Sequence, residues 1–288
     1  MEYQRIGSRG HLFTWEEPYL CSVYVIDAPL HVFMVDTFLG PDPMEDVQAK
    51  LREVGVGKPD VVFNTHADYD HIWGNMAFEG SLIVAHDSSL KRISAQGEWA
   101  MARFKAHMMG AVRLRPPNLV FRKRIAFVED GVEFFYTPGH TGDSASCFDS
   151  VDRVLIAGDN IVAPYPYINL LNLKEYIQSL EEYKRLGANT IILGHDPPQH
   201  DSTLIDSNID YLRSVASGHV DLGAMDQRQL RAHYTNVVRL AELYAEKADK
   251  AKAKEYYEQA LRVLDLLDPS PEDEARKAKV SERLNGLG

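Results

Sequence analysis

Two histidines and two aspartates crowd into the six residues His66-Ala-Asp68-Tyr-Asp70-His71, directly behind the apolar run Val61–Phe63. So many ionisable groups in one short stretch are costly to pack together unless an opposite charge compensates them. A chain of this kind must fold so that the segment lies at the end of a strand, at the rim of a layered structure, where polar clusters are tolerated. Divalent metal ions are the simplest compensation. Histidine and aspartate together supply a mixed nitrogen and oxygen shell suited to Zn, Fe or Mn.

Three later segments repeat the pattern of an apolar run ending in an imidazole or carboxylate. They are Pro138-Gly-His140-Thr-Gly-Asp143-Ser144, Ala157-Gly-Asp159-Asn160 and Leu193-Gly-His195-Asp196. A further pair, His219 and His233, lies toward the C-terminus. A lone loop histidine is more often solvated or hydrogen-bonded than a ligand, and Gly139 and Gly194 taken singly mark only turns. The combination carries the argument: each cluster follows an expected strand, so all can converge on one sheet edge.

Periodicity and turn residues supply the frame. Residues 19–26 and 31–35 read as a β-hairpin around Asp27-Ala28-Pro29, and residues 43–54 read as a helix ended by Gly55. Strands are expected at Val61–Phe63, 81–85, 125–128, 132–137, 145–148, 154–157 and Thr190–Leu193. Helices are expected over 88–109, 173–186 and 201–217. Beyond Gly218 the composition shifts to Ala, Glu, Lys, Leu and Tyr, and the chain reads as three helices. The boundary divides the chain into a catalytic domain, 1–218, and a helical tail, 219–288. Within the tail, Leu240, Ala241, Tyr244, Ala253, Tyr257 and Ala260 fall at the spacing of one tetratricopeptide-like pair. A single repeat cannot bury its own face, so the tail must pack on the main domain or on a second copy of the chain.

The formal net charge of -11 repels phosphate backbones and anionic surfaces, which argues against nucleic-acid and membrane partners. Two cysteines, Cys21 and Cys147, do not make a disulfide framework. No signal-peptide core opens the chain and no apolar run is long enough to span a bilayer, so a cytoplasmic location is expected.

The segment THADYDH resembles the His-x-His-x-Asp-His signature of the metallo-β-lactamase superfamily. PGHTGDS, AGDN and LGHD resemble its later ligand segments, in the same order and with similar spacing, over roughly residues 10–215. The resemblance implies an α/β fold, an αββα sandwich, here with an added C-terminal helical segment. It also implies two divalent metal ions. His66, Asp68 and His140 would hold the first, and Asp70, His71 and His195 the second, with Asp159 bridging both. Asp68 departs from the signature, where a second histidine stands; flavodiiron oxygen reductases, in the same superfamily, carry a glutamate there. The extra carboxylate makes the centre formally neutral when two dications and one hydroxide are bound. Zn is the default, and the added carboxylate shifts the preference toward Fe or Mn enough to bring them into consideration.

By the same resemblance the chain is a metal-dependent hydrolase acting through a metal-bound hydroxide on a small ester, lactone or thioester. Asp70 would double as ligand and proton carrier, and Tyr165 or Tyr167 would donate a hydrogen bond to the developing oxyanion. The short interval between Asp159 and His195 leaves no room for the nuclease insertion of RNA-processing relatives. Two alternatives compete: a diiron redox protein fed by a separate electron donor, and a metal-binding adaptor that works through its helical tail. A homodimer formed through that tail is a further expectation.

Overall fold

The computed structural model describes residues 1–287, and among them twelve strands and eight α-helices. A seven-stranded sheet runs in the order β1 (Glu2–Ile6), β2 (Gly10–Trp15), β3 (Cys21–Asp27), β4 (Val32–Val35), β5 (Val61–Phe63), β6 (Leu82–His86) and β7 (Leu119–Phe121). Its first four strands are antiparallel, and β4 to β7 are parallel. A five-stranded sheet comprises β8 (Arg124–Phe127), β9 (Val132–Tyr136), β10 (Ala145–Asp149), β11 (Val154–Gly158) and β12 (Thr190–Leu193), with β11 and β12 parallel. The helices are α1 (Pro41–Glu53), α2 (Tyr69–Ile72), α3 (Asp87–Arg103), α4 (Leu173–Leu186), α5 (Thr203–Ser217), α6 (Gln227–Glu246), α7 (Lys250–Leu264) and α8 (Pro271–Asn285).

Strand alternation builds the sandwich. Tyr24 and Ile26 of β3 point inward with Phe33, Phe63, Phe134, Cys147 and Ile156, filling one core shared by the two sheets. Cys21, Val23 and Val25 of the same strand face the other way, against Met44, Val47 and Leu51 of α1 and Ile93 of α3. On the five-stranded sheet, Phe135 meets Tyr183 of α4 edge-on, and Ser146 hydrogen-bonds the same tyrosine's hydroxyl. The αββα layering expected above is therefore present.

Most expected elements form, and three differ. Strands β1 and β2 add a hairpin to those expected; β1 is a largely exposed edge strand with a polar sequence, whereas β2 is mostly buried. Strand β7 is only three residues long and half exposed. The helix expected over 88–109 ends at Arg103, and a short 3-10 turn at Lys105–His107 continues it. Among the described residues no helix is long and apolar enough to cross a membrane.

The chain forms two compact units. The first holds Met1–Pro138, Asp143–Asp159 and Glu182–Ser202; the second holds Gly139–Gly142, Asn160–Glu181 and Thr203–Gly288. The expected boundary at 218 thus falls inside the second unit, which joins the tail to α5 and the 160–181 segment. Within that unit α6 and α7 form a hairpin in which Ala241, Ala253, Tyr257 and Ala260 are buried. Val237, Ala241, Tyr257 and Ala260 pack with Val280 of α8 into one apolar cluster, which gives the tail's stripe its cover. Asn236 of α6 donates to Pro166 O and accepts from Ile168 N, both at 2.9 Å, and so pins the segment after Asp159.

Candidate metal centre

The first unit carries its ionisable residues at the C-terminal ends of parallel strands. His66 follows β5, Asp159 follows β11 and His195 follows β12, so three strand ends deliver three side chains to one place. Asp70 and His71 come from α2, which begins within the polar segment at Tyr69. Gly194 is needed for the approach, because a Cβ there would lie 2.0 Å from Asp159 Oδ1 and 3.2 Å from His71 Cε1.

Six of the seven expected ligands lie in this unit. His66, His71 and Asp159 bring one donor atom each within 4.8 Å of one another, and so do Asp70, His71 and His195. Asp159 Oδ2 stands 3.2 Å from His195 Nε2 and 3.8 Å from His66 Nε2, while Asp159 Oδ1 stands 3.4 Å from His71 Nε2. The aspartate thus faces all three imidazoles. The seventh residue, His140, belongs to the second unit, where its backbone N–H donates to Asn160 Oδ1 at 2.8 Å. Its ring lies edge-on to Tyr167 at 6.4 Å, and both line a cavity of about 300 Å3 with Tyr234, Val238 and Arg239 of α6.

The electrostatics fit a cation. His71 Nε2 is buried and has no hydrogen-bond partner among the described residues. Burial opposes protonation of His71 and His195, but the carboxylates of Asp159 and Asp70 outweigh it for both, joined by Asp36 for His71. His71 is raised well above the ordinary imidazole range and His195 to about 9. Burial likewise opposes ionisation of Asp159, and the facing His195 and His71 outweigh that too, holding the carboxyl well below its usual range. A dication among these groups would supply the positive charge that the carboxylates favour, and its binding would compete with protons for the imidazole nitrogens. The donor set, imidazole nitrogens with aspartate oxygens, suits Zn, Fe or Mn.

Three residues that the sequence reading missed complete the site. Asp36, directly after β4, accepts from Thr65 N and Thr65 Oγ1 and faces His71 Nδ1, each at 2.8 Å. Its contact with Nδ1 turns His71 Nε2 toward the cluster. Asp36 does this from a left-handed backbone conformation, φ 62°, of the sort that a shaped site sustains. Arg92 of α3 pairs with Asp68 and, at 3.0 Å, with Asp143 Oδ1; Asp143 also accepts from Ala67 N. Asp68 Oδ2 remains 3.3 Å from His66 Nε2. The Tyr19 hydroxyl is 3.0 Å from Asp70 Oδ2 and from the Tyr69 hydroxyl, and burial with the charge of Asp70 pushes its phenol pKa up. An acidic residue straight after an apolar strand was a readable signal for Asp36. Nothing local marks Arg92 or Tyr19.

Residues 17–195 match the family model of the metallo-beta-lactamase superfamily. The chain belongs to that superfamily. Metallo-beta-lactamase domain-containing protein 1 of Xenopus laevis is 29% identical over 189 residues, covering 62% of this chain and 71% of that protein. Among solved structures, a metallo-beta-lactamase from Pontibacter korlensis matches with a TM-score of 0.59 at 17% identity, over 74% of this chain and 98% of that one. The metallo-beta-lactamase FIM-1 from Pseudomonas aeruginosa, solved in a mono-zinc form, matches with a TM-score of 0.61 at 14% identity, over 75% and 96%. Superfamily membership and the His/Asp cluster make this chain a metal-dependent hydrolase.

Tyr165 and His233 belong to the second unit. Tyr165 stacks face to face on Tyr211 at 3.9 Å in the second unit. His233 is fully buried, with Nδ1 2.9 Å from the Tyr211 hydroxyl and Nε2 3.3 Å from Gln259, so it is a core histidine of the tail.

Proposed function

We propose that this chain is a dinuclear hydrolase of small esters, lactones or thioesters. The observation that carries the reading is the placing of Asp159, whose carboxylate faces His66 on one side and His71 and His195 on the other, at 3.2–3.8 Å. In this reading His66, Asp68 and His140 hold one ion, Asp70, His71 and His195 the other, and Asp159 bridges them. When bound, such ions supply Lewis acidity and lower the pKa of a water toward ~7.

The chain's own residues would do the rest. Asp70 holds or passes a proton, steadied by the Tyr19 hydroxyl, whose raised pKa keeps it a donor. His195 is held in orientation by the contact of Nδ1 with Leu20 O at 2.7 Å. The oxyanion role falls to Tyr167, which is exposed and edge-on to His140, while Tyr165, stacked on Tyr211, holds the loop. Arg92 bears on the choice of metal, because its guanidinium balances the extra negative charge of Asp68. Shared with Asp143, it offsets part of the charge that Asp68 adds, and Zn stays the default over Fe or Mn.

Elemental analysis beside a panel of lactone, thioester and phosphodiester substrates tests the reading. About two ions per chain are expected, with hydrolysis of carboxylic substrates and loss of both ions in Asp159→Ala. Protein grown with ample Zn, Fe and Mn that holds no transition metal would refute it.

A further inference from the structure

Helix α3 carries a feature that the metal centre does not use. It closes a cavity of about 210 Å3 whose walls are Tyr69, Trp73, Ile93, Trp99, Phe104 and Leu114. Three of these rings form a tight group: Tyr69 stacks on Phe104 at 4.4 Å and meets Trp73 at 4.8 Å. Gly97 lets α3 pack closely against Leu114, since a Cβ there would lie 2.6 Å from Leu114 Cδ1, and both residues line the cavity. The cavity's polar lining includes Asp68 and Arg92, so it borders a ligand of the proposed centre.

We infer that this cavity binds the apolar acyl part of the substrate, an alkyl chain or a single ring, and so sets the enzyme's preference. The inference rests on the hydrolase reading above and adds the substrate class. Arg92 cannot select an anion there, because Asp68 and Asp143 already take its guanidinium. What the cavity offers instead is aromatic and aliphatic surface, which rewards burial of apolar groups and not of charge. Taking about 30 Å3, the volume of one water, as the size of a carbon group, the cavity holds about six or seven of them.

The test combines turnover and binding. Acyl esters of one common phenol, from acetate to decanoate, are compared on the metal-loaded enzyme. Each added methylene is expected to raise kcat/KM about threefold to fourfold, until about six or seven carbons fill the cavity. Hexanoate, added without any ester, should change the tryptophan fluorescence contributed by Trp73 and Trp99 at concentrations where acetate does nothing. This readout stands even if no ester is hydrolysed, so failure of the cavity and failure of the hydrolase reading are distinguishable. Ala100→Phe, which places a ring into the space from α3, should move the optimum at least two carbons shorter while leaving the acetate ester within about twofold. If that variant does not fold, Trp99→Ala serves, since Trp99 is 62% exposed; it should flatten the chain-length dependence. A flat chain-length series on an active enzyme overturns the inference. So does hexanoate that leaves the fluorescence unchanged, or an equal loss on acetate and hexanoate esters in the folded variant.

Discussion

Replacing Arg92 by methionine keeps most of the side chain's apolar length and removes only its charge and donors. In the native chain that guanidinium joins two carboxylates, Asp68 and Asp143. The Asp143 side chain is 4% exposed, while those of Asp68 and Arg92 are 27% and 30% exposed. Removing one partner of a fully buried ion pair costs about 3–5 kcal/mol, because the remaining charge is left in a poor solvent. The Asp68 half is partly screened by water, so we expect Arg92→Met to cost about 2–3 kcal/mol. Urea unfolding of chelated protein measures this with no metal ion competing for the carboxylates. Asp68→Asn should relieve part of the penalty, giving a coupling of about 1–2 kcal/mol between the two positions in a double-mutant cycle. A cost below about 0.5 kcal/mol, the level of an ordinary surface substitution, would refute the claim that Arg92 balances the site. So would the absence of coupling.

Asp36→Ala removes the group that faces His71 Nδ1 at 2.8 Å, and should weaken zinc binding about 10-fold to 100-fold, as measured by chelator competition. His233 is buried and its pKa is lowered by that burial to about 4. The unfolded chain therefore takes up a proton near pH ~6.5 that the folded chain refuses. Stability should fall as pH drops from ~6.5 toward 4, and His233→Gln should remove this part of the acid sensitivity in thermal melts taken across the range. Asn236→Ala breaks both bonds to the 166–168 segment and should cost about 1–3 kcal/mol. Faster amide exchange confined to residues 160–170 should accompany it, and unchanged exchange there would count against a pinning role for α6.

What could be read in the sequence is local. A run such as Val61–Phe63 followed within a few residues by His66, Asp68, Asp70 and His71 reports itself, because strand, turn and ligands lie on one short stretch of chain. The same holds for Asp159 behind β11 and His195 behind β12, and for the small residues at the α6–α7 contact. Edge strand β1 left no such mark, since water satisfies its polar residues and no apolar alternation is required of it. Nor did two of the partners that tune the site: Arg92 reaches Asp68 across 24 residues and Tyr19 reaches Asp70 across 51; Asp36 stands at a strand end, but its partner His71 lies 35 residues away. The sequence by itself determined which groups could bind metal and the strand ends that carry them. Only the tertiary structure decided that Arg92 lies against Asp68 and Asp143, setting a guanidinium beside the added negative charge. Which cation a carboxylate finds depends on how α3 packs beside the sheet, and no spacing along the chain encodes that.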